Sequence, residues 1–446
     1  MQMSRILVLG AGLSSTNLIE YLLGNAPAYG WTLRIGDLSV EAAAGKLKGN
    51  RSGQAFQFDI SNTEQLSAEV AWADVVISML PAFMHPVVAK ECVRQGRHLL
   101  TASYVSDAMK SLHDEAQQKG IALMNELGVD PGIDHMSAMR MIDSIRNKGG
   151  KIVGFISNTG GLIAPECDNN PWNYKFTWNP RNVVLAGQGV THFLENGQHK
   201  YIPYHRLYSN IRTYNIPPYG EFEMYPNRDS LKYREIYGIN DIKTIIRGTL
   251  RRSGYSKAWD VFVQLGMTDD SYKMEGSERL TKREFLNSFL PYHPTETVEE
   301  KLQRVIPTTR DTAILAKLQW LGMFENEPIG MSNASPAQLL QKILEEKLGL
   351  EPNDKDILIM QHIFDYELGG KRFQRKSTLT LIGEDTVHTA MAKTVGTPLA
   401  IATKMLMTGQ VNDRGVVMPI KPHLYNPILN ELEEYGVKFV EEERQL

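Results

Sequence analysis

The sequence has little cysteine and almost no excess charge. Its 446 residues include two cysteines, Cys92 and Cys167, and the formal net charge is -3 at pH 7. Two cysteines are too few for a disulfide scaffold and are typical of a protein in the reducing cytosol. Neither CxxC nor HExxH occurs, so we expect no metal site. The weak negative charge argues against nucleic acid or a membrane surface as a partner.

Long apolar runs are also missing. No stretch approaches the roughly 20 apolar residues that span a bilayer. The first residues, MQMSRILVLGAG, lead directly into a predicted strand and lack the pattern of a signal peptide. We therefore expect a cytoplasmic protein without a membrane partner. What is present is the composition of a globular protein, 42% hydrophobic and 22% charged, in a chain long enough for two or three domains.

Short apolar runs alternate with helical patterns over the first 130 residues. The six predicted strands are RILVLGAG, WTLRIGD, AFQFDI, ADVVISML, RHLLTASY and IALMNEL. Strands that alternate with helices predict an α/β fold with a Rossmann-type parallel sheet and helices on both faces.

The pattern changes after residue 150. Strands and hairpins are predicted first, with Asn196-Gly197 as a hairpin turn. Residues 256–365 then have a largely helical pattern, strand alternation returns at 372–383, and an Ala/Met-rich segment at 388–409 is predicted to be a helix that docks on the first sheet. The layout predicts three domains: a dinucleotide-binding domain (1–128 with 388–412), a mixed α/β domain (129–255 with 366–387 and 413–446) and a helical insertion (256–365).

The segment GAGLSS, residues 10–15, follows the first predicted strand and opens a helical pattern. Glycines there allow the backbone to approach a pyrophosphate at the positive end of the helix. Ser15 replaces the third glycine of G-x-G-x-x-G, but it is still small enough for close packing. Asp37 ends the second predicted strand, where an acid can accept hydrogen bonds from an adenosine ribose. The alternative is a glycine turn in a non-binding α/β protein.

Ligands of open α/β sheets bind beyond the carboxyl ends of the strands. The expected cofactor contacts are Gly10, Ala11, Gly12, Leu13, Ser14, Asp37, Asp59, Ile60, Leu80, Pro81, Ser103, Val129 and Gly132. The segment NELGVDPGIDHMSAM follows the sixth predicted strand and opens onto the same crevice. Asp130 and Pro131 also suit the N-cap and first position of a helix, so helix capping alone is the alternative interpretation of this segment.

Several stretches resemble the glutamate-forming saccharopine dehydrogenases, also called saccharopine reductases. They are SMLPAFMHPVVAKEC, TASYVS, MNELGVDPGIDHMSAM, NTGGLIAPECDNNPWNYKFTW, MYPNRDSLKY, TIIRGTLR and HTAMAKTVGTPLAIA. The resemblance covers nearly the whole chain. It implies that a nicotinamide cofactor is used to interconvert saccharopine with glutamate and 2-aminoadipate 6-semialdehyde through an imine. It also implies a homodimer formed by the mixed α/β domain.

The same resemblance implies roles for individual residues. Ser103 and Tyr104 border the substrate, Asp130 lies beside it, and Arg228 binds it together with Thr249, Leu250 and Arg251. Tyr104 and Asp130 are the candidates for proton transfer. One departure is Thr159, which stands where family members often carry Cys before the glycine pair, so a role for that thiol is open here.

The substrate chemistry fits the basic residues of the chain. Saccharopine carries three carboxylates, and arginine holds a carboxylate through two hydrogen bonds. The candidates are Arg228, Arg247, Arg251 and Arg252, whose alternative interpretation is a solvated basic face. Tyr104 has the alternative of a core aromatic. Other reactive side chains are interpreted as structural: His85, His135 and Cys92.

Asp37 also predicts the cofactor. NADP-dependent members of the family tend to place arginine at the end of the second strand, and a carboxylate there repels a 2′-phosphate. Arg34 lies within the strand and Lys46 in the next helix, so neither replaces that arginine. We therefore predict that NAD is preferred over NADP. Two rival functions are a dehydrogenase of another carboxyalkyl amine, such as carboxynorspermidine, and a catalytically silent cofactor-binding regulator; RGTLRR argues against the first and the retained site residues against the second.

Overall fold

The computed structural model describes residues 4–446. These residues form two compact units. The first unit runs to Lys151 and resumes from Leu379 to Val440, and the second comprises Ile152–Thr378 and Glu441–Leu446. No helix within residues 4–446 is long and apolar enough to cross a membrane.

The first unit contains a seven-stranded sheet in which every neighbouring pair is parallel. Its strands are β1 (Arg5–Leu9), β2 (Thr32–Asp37), β3 (Gly53–Gln57), β4 (Val75–Ser78), β5 (His98–Thr101), β6 (Ala122–Met124) and β15 (Gly415–Val417). The order across the sheet is β15-β6-β5-β4-β1-β2-β3. The order reverses at β1, and in sheets of this kind ligands bind beyond the strand ends at such a point.

Helices flank this sheet. They are α1 (Thr16–Tyr29), α2 (Val40–Leu47), α3 (Thr63–Trp72), α4 (His85–Gln95), α5 (Asp107–Lys110), α6 (His113–Gln118), α7 (Ile133–Asn147), α15 (Ala390–Met407) and α16 (Pro422–Glu434). The central strands β1 and β4 are largely apolar runs because both of their faces are buried, as in other parallel sheets. Cys92 lies in the core formed by α3, α4 and the sheet, which agrees with the structural role predicted for it. The predicted parallel fold is confirmed.

The C-terminal segment differs from the sequence-based domain boundaries. Residues 413–440 were assigned to the mixed domain, but β15 pairs in parallel with β6, and α16 packs against α7 in the first unit. Three residues are too few for β15 to show a strand pattern in the sequence. Its position depends on the hydrogen bonds that β6 offers at the edge of the sheet.

The second unit contains a nine-stranded mixed sheet. Its strands are β7 (Lys151–Ile163), β8 (Val190–Glu195), β9 (Gln198–Pro203), β10 (Arg212–Asn215), β11 (Glu221–Pro226), β12 (Thr244–Arg252), β13 (Asp356–Leu368), β14 (Lys371–Ile382) and β16 (Phe439–Gln445). The main path is β10-β11-β12-β7-β13-β14-β16, and the hairpin of β8 and β9 joins through β12. The predicted hairpin turn is confirmed, because Asn196 and Gly197 adopt φ of 48° and 79° between β8 and β9.

The helices of the second unit are concentrated between residues 255 and 348. They are α8 (Pro180–Val184), α9 (Lys232–Ile236), α10 (Tyr255–Leu265), α11 (Lys282–Asn287), α12 (Val298–Val305), α13 (Thr312–Trp320) and α14 (Pro336–Leu348). The sequence-based helical region extended to residue 365, but β13 begins at Asp356. The first nine residues of β13 are all buried, so their apolar run has no period-2 alternation that distinguishes a strand from a helix.

Candidate active site

The glycine turn after β1 has the geometry of a phosphate cradle. Gly10 has φ +100°, and a Cβ there would lie 2.9 Å from the backbone of Met79, so only glycine fits. A Cβ on Gly12 would meet no atom within 4 Å, so the backbone of Gly12 is open to a ligand. The side chain of Ser15 is buried, and its hydroxyl donates to the carbonyl of Gly12 at 2.8 Å. Leu13 and Ser14 continue this turn into α1.

Helix α15 also approaches the glycine turn closely, at Gly396. A Cβ on Gly396 would lie 2.8 Å from the backbone nitrogen of Leu18 and 3.1 Å from the carbonyl oxygen of Ser14. Gly396 therefore allows α15 to pack directly on the start of α1. The predicted docking of this helix is confirmed within the first unit.

Asp37 holds the glycine turn. Its Oδ2 accepts a hydrogen bond from the backbone N–H of Ala11 at 2.7 Å, and its Oδ1 accepts one from the N–H of Ser39 at 3.0 Å. The two basic residues considered for a phosphate clamp are engaged elsewhere. Arg34 pairs with Glu69 and stacks on Trp72, and the Lys46 ammonium group donates to the hydroxyl of Thr16.

The remaining cofactor candidates of the first unit lie after strand ends, as expected. Asp59 follows β3 by two residues, and its Oδ1 accepts hydrogen bonds from the N–H and hydroxyl of Ser61 at 2.9 and 2.7 Å, which lowers the pKa of Asp59. Ile60 and Leu80 pack on the core, and Pro81 is exposed just before α4. Val129 and Gly132 are buried in the turn that precedes α7.

Ser103 belongs to a chain of hydrogen bonds that centres on His85. One ring nitrogen of His85 lies 2.8 Å from the Ser78 hydroxyl, and the other lies 2.8 Å from the Ser103 hydroxyl and 3.1 Å from that of Thr101. Burial lowers the pKa of His85 to about 4, so the imidazole is neutral near pH 7. The sequence-based interpretation of His85 as structural did not include this contact with the candidate residue Ser103. The available signal was the His-Pro pair directly after the fourth predicted strand.

Tyr104 and Asp130, the two candidates for proton transfer, are in contact. The Tyr104 hydroxyl donates to Oδ1 of Asp130 at 2.7 Å, and both side chains are half-buried. Tyr104 is therefore not a fully buried core aromatic, and its hydroxyl is bonded to another candidate site residue. A carboxylate and a phenol in contact form a pair that can hold and pass a proton.

The expectation that Asp130 caps the following helix is wrong. Residues 128–132 form an additional turn, in which the Gly128 N–H donates to the carbonyl of Pro131 at 2.9 Å, and α7 begins at Ile133. Its N-cap is Gly132, whose φ of 145° suits only glycine. The N–H of Gly132 donates to Oδ1 of Asp134 at 2.6 Å. Asp130 is therefore outside the helix, and its carboxylate contacts Tyr104.

A buried acid and histidine stand behind this segment. Nε2 of His135 lies 2.7 Å from Oε2 of Glu126, and both side chains are almost fully buried. Oε1 of Glu126 accepts a hydrogen bond from the N–H of Val105 at 3.0 Å. The pair thus connects α7 to the backbone next to Tyr104. This arrangement supports the predicted structural role of His135.

In the second unit, β12 presents candidate residues on alternate faces. Side chains on a strand alternate, so Arg247, Thr249 and Arg251 share one face, whereas Leu250 and Arg252 share the other. The register of β7 and β12 places Thr159 beside Thr249. The side chain of Leu250 is fully buried on the opposite face from Thr249 and Arg251.

Arg251 is buried against three tyrosine rings. Its guanidinium carbon lies 5.1, 5.9 and 5.2 Å from the ring centroids of Tyr174, Tyr225 and Tyr255. Its NH1 group donates to the carbonyl of Leu250, and its Nε has no hydrogen-bond partner among residues 4–446. The aromatic faces stabilise the cation. The guanidinium retains hydrogen-bonding capacity that a carboxylate would satisfy.

The other arginines differ in environment. Arg247 is buried and lies 4.5 Å above the ring of Tyr233. Arg228 is exposed, in a loop where it adopts a left-handed φ of 54°. The backbone of His192 holds that loop. Its N–H donates to the Arg228 carbonyl, and its carbonyl accepts a hydrogen bond from the backbone N–H of Ser230. The four candidates thus comprise one loop arginine and three arginines of β12 on its two faces, rather than a single basic face.

Comparison with known proteins gives a consistent result over the whole chain. The model for the saccharopine dehydrogenase NADP binding domain matches residues 6–124, and that for the saccharopine dehydrogenase C-terminal domain matches residues 128–437. A Pyricularia oryzae protein named saccharopine dehydrogenase (NADP(+), L-glutamate-forming) is 34% identical over 97% of both chains. The Saccharomyces cerevisiae protein of the same name is also 34% identical, again over 97% of both chains.

A longer relative and a solved structure extend this comparison. The mitochondrial alpha-aminoadipic semialdehyde synthase of Bos taurus is 34% identical over 98% of this chain, which covers 47% of that protein. The apo structure of saccharopine dehydrogenase (L-Glu forming) from Saccharomyces cerevisiae superimposes with a TM-score of 0.88 at 33% identity, covering 99% of this chain and 100% of that one.

The prediction that NAD is preferred is contradicted by these comparisons. The matching family model is that of an NADP binding domain, and the fungal relatives are named for NADP(+). Asp37 misled because its position suggested a ribose contact, whereas both of its carboxylate oxygens accept hydrogen bonds from the backbone of the turn. The predicted resemblance, by contrast, is confirmed: this chain belongs to the saccharopine dehydrogenase family.

Proposed function

We propose that this protein is an oxidoreductase that interconverts saccharopine with L-glutamate and 2-aminoadipate 6-semialdehyde, with NADP as its cofactor. The observation that carries the proposal is the 34% identity to L-glutamate-forming saccharopine dehydrogenases over 97% of both chains. The site residues described above supply the groups that this reaction needs. The reaction belongs to lysine metabolism.

The first unit fits a dinucleotide. Gly10, Ala11, Gly12, Leu13 and Ser14 would hold the pyrophosphate, because the turn has an open backbone at Gly12 and leads into the positive end of a helix. The nicotinamide of the bound cofactor would accept hydride from the carbon that becomes the aldehyde. Asp37 would act on this site indirectly by fixing the backbone of Ala11.

Tyr104 and Asp130 would manage the protons of the reaction. Hydride loss from the carbon next to the secondary nitrogen requires that nitrogen to be unprotonated, so a base must first take its proton. Water then adds to the resulting imine, and the carbinolamine collapses when a proton reaches the nitrogen that leaves as the amine of glutamate. A carboxylate hydrogen-bonded to a phenol at 2.7 Å can accept and return these protons.

The arginines would bind the carboxylates of saccharopine. Arg251 is oriented by its tyrosine neighbours, and its Nε has no hydrogen-bond partner within residues 4–446. Arg228 and Thr249 are the other candidates, together with the backbone of Leu250. Arginine suits this role because its planar guanidinium forms two parallel hydrogen bonds to a carboxylate.

The proposal is tested with purified protein, saccharopine and either NADP+ or NAD+. We expect absorbance at the reduced nicotinamide band to rise with saccharopine and NADP+, in step with glutamate formation, and kcat/KM to be higher for NADP+. The matched control is the Tyr104→Phe variant, which removes the proton donor and keeps the ring. No saccharopine-dependent reduction of either cofactor would reject the proposal, while a higher kcat/KM for NAD+ would reject its cofactor.

We also propose a homodimer, which rests on the family resemblance alone. Light scattering should then give twice the chain mass of 50.3 kDa. A mass of one chain at micromolar concentration would reject the dimer without affecting the proposed reaction.

A further inference from the structure

The second unit contains a cleft that none of the candidate site residues line. Its volume is about 390 Å³, within the size range of small-molecule sites. It is lined by the segment before β10, by α10, and by the turn between α12 and α13 together with the start of α13. The apolar lining is Tyr208, Ile211, Pro307 and Ile314, and the polar lining is Ser209, Lys257, Asp260, Thr308 and Asp311.

Asp260 is the unusual member of this lining. Its side chain is nine-tenths buried, with 8% exposure for the residue, and its Oδ1 has no hydrogen-bond partner among residues 4–446. Its Oδ2 accepts one hydrogen bond, from the amide of Gln264 at 2.6 Å. Burial raises the pKa of Asp260, which is the expected response of a carboxylate that lacks a nearby cation.

The charged residues near Asp260 within residues 4–446 do not provide a cation for its carboxylate. Lys257 lies one turn earlier on α10, but it is exposed and forms no ion pair in the described part of the chain. Asp311 adds a second acid at the cleft, and its Oδ1 accepts the N–H of Ala313 at the start of α13. The lining thus contains two acids and one base, so its net charge favours a cation.

The surroundings decide which kind of cation fits. A calcium or magnesium ion requires six or more oxygen ligands, and one buried carboxylate among aliphatic and aromatic side chains does not supply them. An ammonium group needs a single carboxylate and a few hydroxyl groups, and the apolar walls would bury its carbon chain. We propose that this cleft binds a small organic cation, a primary ammonium group on a short apolar chain, with Asp260 as its counterion.

Such a site has a physical connection to Arg251. The ring of Tyr208, which lines the cleft, lies 4.7 Å from that of Tyr225, and Tyr225 is one of the rings around Arg251. The same helix α10 carries both Asp260 and Tyr255, which also packs on Arg251. Binding itself is independent of the proposed reaction, and so is its test.

The experiment is an NMR titration of the full chain with n-pentylammonium, with n-pentanol as the uncharged probe of the same shape. We expect n-pentylammonium to bind with a dissociation constant in the millimolar range, as suits so small a ligand. The Asp260→Asn variant should weaken this binding at least tenfold and leave the weak binding of n-pentanol unchanged. Absence of ammonium binding, or equal binding by wild type and Asp260→Asn, would overturn the proposal.

Two further variants locate the binding. Thr308→Trp places a large ring at the exposed rim of the cleft, and it should abolish binding without a change in the melting temperature. Glu367→Gln removes the same charge from an exposed position of the second unit that does not line the cleft, and it should bind as the wild type does. Binding that survives Thr308→Trp, or that is lost in Glu367→Gln, would overturn the assignment to this cleft.

Discussion

The candidate residues of the first unit lie in loops after strands, whereas those of the second unit lie mostly on the face of one strand. In the loops, position depends on specific hydrogen bonds, such as the one between His85 and Ser103 and the one from Tyr104 to Asp130. On β12, position follows from the alternation of the strand, and packing against tyrosine rings fixes Arg251. The first arrangement suits proton transfer and the second suits binding. Variants of the two regions should therefore differ in which kinetic constant they change.

The largest effect is expected for Asp130→Asn. Asparagine keeps the shape and still accepts a hydrogen bond from Tyr104, but it cannot take a proton. We expect kcat to fall about 100- to 10,000-fold, the usual contribution of a general acid–base group, with an unchanged melting temperature. The matched control is Asp114→Asn, which alters an exposed carboxylate in α6 of the same unit, at a position that is not a candidate site residue. A kcat within twofold of wild type for Asp130→Asn would contradict the assignment.

The next effect concerns Arg251→Ala, measured by kcat/KM for saccharopine. Loss of one partner of a buried charge pair costs about 2 to 5 kcal/mol of complex stability, and we expect most of this to appear in KM. Arg251→Lys should restore part of it, since it keeps the charge but not the two parallel hydrogen bonds. Arg252→Ala is the control, because its side chain lies on the opposite face. Equal KM values for Arg251→Ala and wild type would remove Arg251 from the binding site.

A smaller effect is expected for His85→Gln, measured as the free energy of unfolding at different pH values. The pKa of His85 is about 4 in the folded protein, below its ordinary value of 6.5. The unfolded chain therefore binds a proton first as the pH falls below 6.5, and the folded state loses stability between pH 6.5 and 4. Between pH 7 and pH 5, the free energy of unfolding measured with urea should fall by about 2 kcal/mol more in the wild type than in His85→Gln. Equal losses would show that His85 is not the buried neutral group described.

The smallest effect is expected for Thr159→Val. The Thr159 hydroxyl is buried, and it has no hydrogen-bond partner among the described residues. Replacement by a residue of the same shape should change the free energy of unfolding by less than about 1 kcal/mol. Urea unfolding measures this directly, with Thr249→Val as the comparison on the neighbouring strand. A loss above 2 kcal/mol, a typical value for a broken buried hydrogen bond, would show that the hydroxyl is bonded within the fold.

Local patterns in the sequence predicted much of the first unit. The parallel sheet follows from apolar runs between helical patterns, and the glycine turn from GAGLSS between a predicted strand and a predicted helix; the structure adds a φ of +100° at Gly10. The predictions that failed depend on tertiary partners. β13 is buried on both faces, β15 is a three-residue edge strand that pairs with β6, and the start of α7 is set by a turn between Gly128 and Gly132.

The candidate site likewise combines features that the sequence indicates with features that depend on tertiary partners. The resemblance implied that Tyr104 and Asp130 both lie beside the substrate, whereas the tyrosine rings around Arg251 come from three separate segments and had no sequence signal. The cofactor was wrongly predicted because Asp37 can accept hydrogen bonds either from a ribose or from the turn beside it. The sequence of the strand end does not distinguish these two partners, and the fold provides the second.

The most direct test of the central claim follows the hydride itself. Saccharopine carrying two deuterium atoms on the carbon that becomes the aldehyde is incubated with the wild type and NADP+, and the products are analysed by mass spectrometry. We predict one deuterium in the reduced cofactor, one in 2-aminoadipate 6-semialdehyde and none in glutamate. Unlabelled reduced cofactor, or glutamate release without cofactor reduction, would contradict the account.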